Sequence, residues 1–291
     1  MGQIFLGQSS QKIMQDIPDG ISINFDWVIT ANRIFKNKEN PKTIYMKTDF
    51  LPMFVSSILP TIKNEFVLIT GCSDYSPEVN FNREYNVLIN YPLLKYWYMS
   101  NMRTKTPKSS GIPCGLSNCL DAPGKPYSTD EEVDQLLLTI RNQVNKEEKI
   151  DKVFCCFRNR DFNVCGQDMI IRPKILEIIK DRTDIFDFYE PDSLDFENFI
   201  KTMSKYKYSL CTHGNGMDPN PTSLVSHMVY TTPVVYKTPN SVSIFEDTDS
   251  VIFFEDFEQV VDKSLYKETP YIDYDQMTNS FWVNKIKSHI S

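Results

Sequence analysis

The sequence predicts an α/β protein built from two Rossmann-like βαβ domains that face a central cleft. Short, continuously apolar runs such as FVLIT (66–70) and KVFCCF (152–157) alternate with helical stretches, the pattern of parallel strands buried on both faces. The chain has 291 residues, enough for two domains of about 140 residues each. The polar run NKEEKIDK (145–152) divides them. Residues 1–148 then form the first domain, 149–270 the second, and 271–291 a closing helix.

In chain order, 21–30 (ISINFDWVIT) reads as a first strand, closed off by a polar loop at 36–42. TIYMK (43–47) is a strand, DFLPMFVSSILPTI a helix broken near its prolines, and FVLIT a buried parallel strand. LLKYWYMSNM (93–102) reads as an aromatic-rich helix and GIPCGL (111–116) as a short strand. PYSTDEEVDQLLLTIRNQV is a helix capped by Ser128 or Thr129, with acids in its first turn. The second half repeats the rhythm: strand 152–157, helix 172–182, strand 185–190, helix 195–206. NSVSIFED, VIFF and FEQVV supply a helix, a strand and another helix before the closing SFWVNKIKSHI.

The segment 207–237 holds the sharpest unit: a strand at 208–212, a Gly-Asn-Gly turn at 214–216, a helix started by Thr222 and Ser223, and a strand at 233–236. Gly214 and Gly216 let the backbone approach a ligand, and the helix amides favour a phosphate. This is the candidate diphosphate site.

Composition excludes several classes. With 41% hydrophobic and 13% aromatic residues and only 10 Gly, the chain is a folded globular protein. A net charge of -7 without a dense basic face argues against nucleic acid as a partner. The odd number of Cys, 7, placed mostly in apolar runs, reads as reduced core residues and a cytoplasmic setting. No apolar stretch is long enough to insert in a membrane, MGQIFLGQSS lacks the features of a signal peptide, and Leu6 stands where a myristoylation signal wants Ser or Thr.

The order strand, Gly-Asn-Gly-x-Asp, helix, strand with Pro-Val-Val resembles the donor-binding segment of exostosin-like glycosyltransferases, a GT-B family with members encoded by large DNA viruses of algae. That family follows the Asp with His-Arg-Thr-Trp-Glu, whereas this chain has Pro219, Asn220, Pro221, Thr222, Ser223 and Leu224, so the ribose-holding Glu is missing. A similar Gly-x-Ser-Asp step recurs at Gly71, Cys72, Ser73 and Asp74. The resemblance implies a GT-B fold whose last helix crosses back to the first domain. It also implies inverting transfer from a UDP-sugar, UDP-xylose being the first guess, to a hydroxyl of a glycan or glycoprotein acceptor in a host cytoplasm.

Within that frame Asp74 is the candidate catalytic base, since inverting transfer needs a group that takes the acceptor proton opposite the diphosphate. Its alternative role is a cap on the turn after FVLIT. Ser73 and Tyr75 flank it on the acceptor side. Arg158 and Arg160 follow strand 152–157 and suit a diphosphate, with Arg158 ranked first and Arg172 a third, more structural choice. His213, Asn215 and Asp218 complete the donor-side set with Gly214, Gly216, Thr222 and Ser223; Asp218 could replace the lost ribose contact or cap a turn. Tyr96, Trp97 and Tyr98 read as acceptor-stacking rings or core.

Asp247-x-Asp249 and Asp273-x-Asp275 match a metal pattern that 38 acids produce readily by chance, and no Cys or His cluster has zinc spacing. Metal-independent chemistry with no cofactor beyond the nucleotide sugar is expected. Two alternatives stand beside the transferase: a degenerate GT-B domain that binds nucleotide sugar or glycan without turnover, and, more weakly, an α/β-hydrolase using G-C-S-D-Y, in which Tyr75 replaces the last Gly of the nucleophile elbow.

Overall fold

The computed structural model describes residues 12, 14–18, 20–116 and 130–290. Two sheets organise them. The first contains β1 (Trp27–Ile29), β2 (Ile34–Lys36), β3 (Thr43–Lys47), β4 (Phe66–Gly71), β5 (Leu94–Met99) and β6 (Ser109–Gly111), in the order β2-β1-β3-β4-β5-β6. Only β1 and β2 pair antiparallel; the remaining pairs are parallel. Every residue of β4 is buried, because both faces of the sheet are covered.

One face carries Ile44, Met46, Leu68, Trp97 and Met99 and packs on Leu51, Phe54, Ile58 and Leu88. Leu88 belongs to α1 (Asn82–Ile89). The other three come from a stretch that changes from 3-10 (Thr48–Phe50) to α (Leu51–Met53), π (Phe54–Ile58) and 3-10 again (Leu59–Thr61). Pro52 and Pro60 cannot donate to a continuous ladder, so the helix is interrupted as the sequence predicts.

The predicted helix at 93–102 is instead β5. Trp97 and Met99 point to one face and Tyr98 to the other, so a strand buried on both sides carries no polar alternation to reveal its period. Trp97 and Tyr98 are fully buried and hold the core rather than an acceptor. The strand expected at 111–116 ends at Gly111, and most of 21–30 lies outside β1.

The second sheet contains β7 (Ile150–Cys155), β8 (Phe186–Phe188), β9 (Tyr206–Cys211), β10 (Thr232–Tyr236) and β11 (Ile252–Phe254), all parallel, in the order β11-β10-β9-β7-β8. Helices α2 (Asp130–Gln143), α3 (Arg172–Ile179), α4 (Phe196–Met203), α5 (Asn220–Met228) and α6 (Pro239–Ile244) surround it. On one face Phe154 and Tyr206 meet α2, α4 and α5 through Val133, Leu137, Ile140, Ile200, Met203, Val225 and Met228. Val153, Cys155, Leu210 and Val234 meet α3 through Ile175 and Ile179 on the other.

Two further expectations are corrected. The boundary at 148/149 assigns α2 to the first domain, yet its apolar side packs on the second sheet. FEQVV is a 3-10 turn (Phe257–Val261) rather than an α-helix. The caps expected at Ser128 and Thr129 lie outside the described residues. The closing helix α7 (Asn279–Lys287) returns to the first sheet, where Trp282, Val283 and Ile286 cover Val28, Tyr45, Val67 and Ile69. No helix among the described residues is long and apolar enough to cross a membrane.

Candidate functional site

The strand order of the second sheet places β7 beside β9, with β8 on the outer side of β7 and β10 on the outer side of β9. Connections leave these two strands in opposite directions. Such a switch point opens a crevice at the carboxyl ends of the strands, where doubly wound sheets bind ligands. The loop after β7 carries Arg158 and Arg160, and the loop after β9 carries His213, Gly214, Asn215, Gly216 and Asp218. Two depressions open here on either side of the Gly214–Asn215 turn.

The first is a groove of about 370 Å³ lined by Cys156, Phe157, Arg158, Arg160, Arg172, Pro191, Leu194, Phe196, Phe199 and Thr222. No Asp or Glu is among the described residues that line it. Arg172 is buried at the start of α3, its guanidinium donating to Thr212 Oγ1 (3.0 Å), the Thr212 carbonyl (3.4 Å) and the Arg158 carbonyl (3.1 Å). It forms no ion pair among the described residues. Burial, reinforced by repulsion from Arg160 and Arg158, pulls its pKa down to about 10. Arg160 donates to Asn215 Oδ1 at 2.6 Å, whereas the exposed Arg158 pairs with Asp192.

Thr222 brings the first turn of α5 to the same groove. α5 begins at Asn220 with Pro221 in its first turn, so Thr222 and Ser223 lie inside the helix rather than starting it. Guanidiniums, a helix N-terminus and apolar walls together fit an anion joined to a flat apolar group.

The second depression is the cleft between the domains, about 430 Å³, lined by Lys47, Asp49, Ser73, Asp74, Tyr75, Asn101, Gly214, Asn215, Gly216 and Asp218 among others. Cys72 follows β4 with a φ of 56°, a left-handed turn that re-aims the chain so that Ser73, Asp74 and Tyr75 enter the cleft. Asp74 is exposed, and its Oδ2 accepts from Asn215 Nδ2 at 3.2 Å. Asn215 therefore bridges Asp74 of the first domain to Arg160 of the second. Beneath Asp74, Cys165 Sγ donates to the Asp74 carbonyl (3.2 Å), and burial pushes this thiol up to about 12.

The turn is pinned from both sides. Asn163 Nδ2 donates to the Gly214 and Gly216 carbonyls (3.1 and 2.8 Å). Asn101 Oδ1 accepts from Met217 N (2.6 Å) and Asp218 N (3.1 Å) while its Nδ2 donates to the Ser73 carbonyl (2.7 Å). Asp218 accepts from Cys114 N at 3.0 Å, another link between domains.

Several predicted residues take other positions. A Cβ at Gly216 would lie 2.5 Å from Asn101 Oδ1, so that glycine admits the first domain rather than a ligand. Ser223 lines a small apolar cavity with His227, away from the groove. His213 is buried, lies edge-on to Tyr236, and lines neither depression. Burial pulls its pKa down to about 4.

Arg172, ranked below Arg158 in the sequence, is the guanidinium most firmly built into the groove; only its place at a helix start pointed to it. Asn101 and Asn163 carried no sequence signal. No His is hydrogen-bonded to Ser73, whose Oγ instead accepts from Tyr75 N, so the geometry of a nucleophile elbow is not assembled. Asp273 caps the 3-10 turn Tyr274–Met277 and Asp247 pairs with Lys285. Among the described residues no three His, Cys, Asp or Glu cluster at metal-binding distance.

No family model matches the chain, and no curated protein matches it. Among solved structures it is similar to spinosyn rhamnosyltransferase SpnG complexed with thymidine diphosphate, at 10% identity over 86% of this chain and 69% of that one, with a TM-score of 0.34. A second structure of spinosyn rhamnosyltransferase SpnG gives 10% identity, the same coverage of 86% and 69%, and a TM-score of 0.31. Likeness at that level leaves function to be argued from the chain's own geometry.

Proposed function

We propose that the protein is a GT-B glycosyltransferase, similar to exostosin-like enzymes, that passes a sugar from a UDP-sugar to a hydroxyl of a glycan acceptor with inversion. The observation that carries the reading is the groove at the switch point: Arg158, Arg160 and Arg172 crowd there with no carboxylate among the described lining residues, and an anion relieves their mutual repulsion. Phe157, Phe196, Phe199 and Leu194 offer the apolar wall that a nucleobase needs.

The diphosphate lies on Arg172, Arg160 and the first turn of α5, and the sugar passes the Gly214–Asn215 turn into the cleft. There the Asp74 carboxylate takes the proton of an acceptor hydroxyl as its oxygen bonds to the anomeric carbon. The bond from that carbon to the diphosphate breaks, and its electron pair leaves on the phosphate oxygen that the guanidiniums stabilise. The proton ends on Asp74. This reading needs no cofactor beyond the nucleotide sugar, and UDP-xylose is the first donor to try.

A second reading, binding without turnover, draws on Asn215: its amide occupies Asp74 and Arg160 at once, so both groups start out engaged. Calorimetry with UDP, followed by UDP release from a panel of UDP-sugars with glycan acceptors, tests both. Binding with release is expected; binding without release supports the second reading, and no binding of UDP or any UDP-sugar removes both.

A further inference from the structure

The two depressions differ in charge. Among the described residues the groove presents three guanidiniums and no carboxylate, whereas the charged residues lining the cleft are Lys47, Asp49, Asp74 and Asp218. Lys47 is the single Lys or Arg among the described cleft-lining residues, and its Nζ is already paired with Asp49 Oδ1 at 3.3 Å. The other oxygen of Asp49 has no hydrogen-bond donor among the described residues, so this carboxylate is itself incompletely satisfied.

Asp74 is met by the neutral amide of Asn215, and Asp218 by the backbone amide and the thiol of Cys114. The ionised groups of the cleft are thus chiefly acceptors, three carboxylates against one ammonium, with the Asn101 and Asn215 amides committed as donors to protein oxygens and the Ser73 and Tyr75 hydroxyls able to donate or accept. Acceptors of this kind suit hydroxyl or ammonium hydrogens and repel another carboxylate.

Resting on the donor reading above, we infer that the sugar received by the cleft is uncharged or amino-bearing, and that hexuronate donors are rejected. The diphosphate supplies the negative charge that the groove requires, and a second anionic group on the sugar would be carried toward Asp74 and Asp218. Rejection would come from unfavourable charge, not from size, because a hexose and its uronate differ only in a CH2OH or a carboxylate at C6.

UDP-glucose and UDP-glucuronate form that matched pair. Calorimetry on the full chain should give a Kd for UDP-glucuronate at least about tenfold weaker than for UDP-glucose, with the ratio shrinking as salt is raised. Asp49→Asn should leave the affinity for UDP unchanged while narrowing the ratio, because Lys47 then has no carboxylate partner and becomes available to the uronate. Equal or tighter binding of UDP-glucuronate to the wild type overturns the inference and leaves the donor reading standing. Absence of UDP binding removes the donor reading and the inference with it.

Discussion

Asp74 and Arg172 sit on opposite domains and differ in exposure, and those facts separate their expected effects. Asp74 is exposed in the cleft and its carboxylate meets a neutral amide, so Asp74→Asn should preserve the UDP affinity while kcat falls by roughly 100-fold. Transfer at the wild-type rate would make Asp74 a turn residue only. Arg172→Lys keeps the charge but loses the fork that grips Thr212 and faces the groove, and should weaken UDP binding by about tenfold. Arg158→Lys should change it by less than about threefold, since Arg158 is exposed and engaged with Asp192. A larger loss at Arg158 than at Arg172 in calorimetry would restore the ranking that the sequence suggested. The buried histidines set a separate expectation. Burial lowers His213 to about 4 and His227 to about 3, against an ordinary value of 6.5. The unfolded chain therefore takes up protons first, so stability is full above about pH 6.5 and falls as the pH drops. At pH 5 each ring costs about 2 kcal/mol. Tm should drop between pH 7 and pH 5, and less so in a His213→Gln, His227→Gln double variant; equal slopes would show that the rings protonate in the folded state.

At the scale of the element, the loop after β9 shows how a glycine can serve the fold rather than the ligand. Gly216→Ala drives a Cβ into Asn101, which holds Met217 N and Asp218 N, and should destabilise the protein by about 1–3 kcal/mol. Gly214→Ala meets only Arg172 Nη2 at 3.6 Å, ordinary contact, and should cost much less. Equal melting temperatures for the two variants would refute the distinction. The sequence showed this loop as a Gly-Asn-Gly turn between two buried strands, and it showed both glycines as equivalent, because the partner that distinguishes them lies more than a hundred residues away. The same limit explains the other departures. β3, β4, β7, β9 and β10 were legible as continuous apolar runs, but β5 was not, since its Tyr-Trp-Tyr run serves two covered faces at once. α2 was legible as a helix, while the sheet it covers depends on contacts with Phe154 and Ile200 that no local pattern records. Of the site, Asp74, Asn215 and Arg160 meet as their loop positions suggest, whereas Arg172 needed the fold to bring Thr212 and Gly214 against it.

For the whole molecule, the geometry of the site depends on the two domains staying together, and α7 is central to that. The first sheet supplies its own helices for only one face; the opposite face, with Val28, Tyr45, Val67 and Ile69, is covered by Trp282, Val283 and Ile286. Nearer the cleft, Arg103 bridges to Asp168 at 2.6 Å, Ser110 Oγ meets Ser243 Oγ at 2.6 Å, and Asn240 holds Met102 N and the Ser100 carbonyl. Those polar links fix alignment, but each is worth little alone next to the apolar area that α7 removes from water. Trp282 is 4% exposed, so Trp282→Ala should cost about 3–5 kcal/mol by opening a cavity over the first sheet. Because the domains share this helix, denaturant unfolding of the variant should remain a single transition with a lower midpoint, and UDP affinity should persist in the folded fraction, since α7 contributes none of the residues that line the groove. Two separated transitions, with the second domain melting at the wild-type midpoint, would show that α7 caps the first sheet without coupling it to the domain that binds the nucleotide.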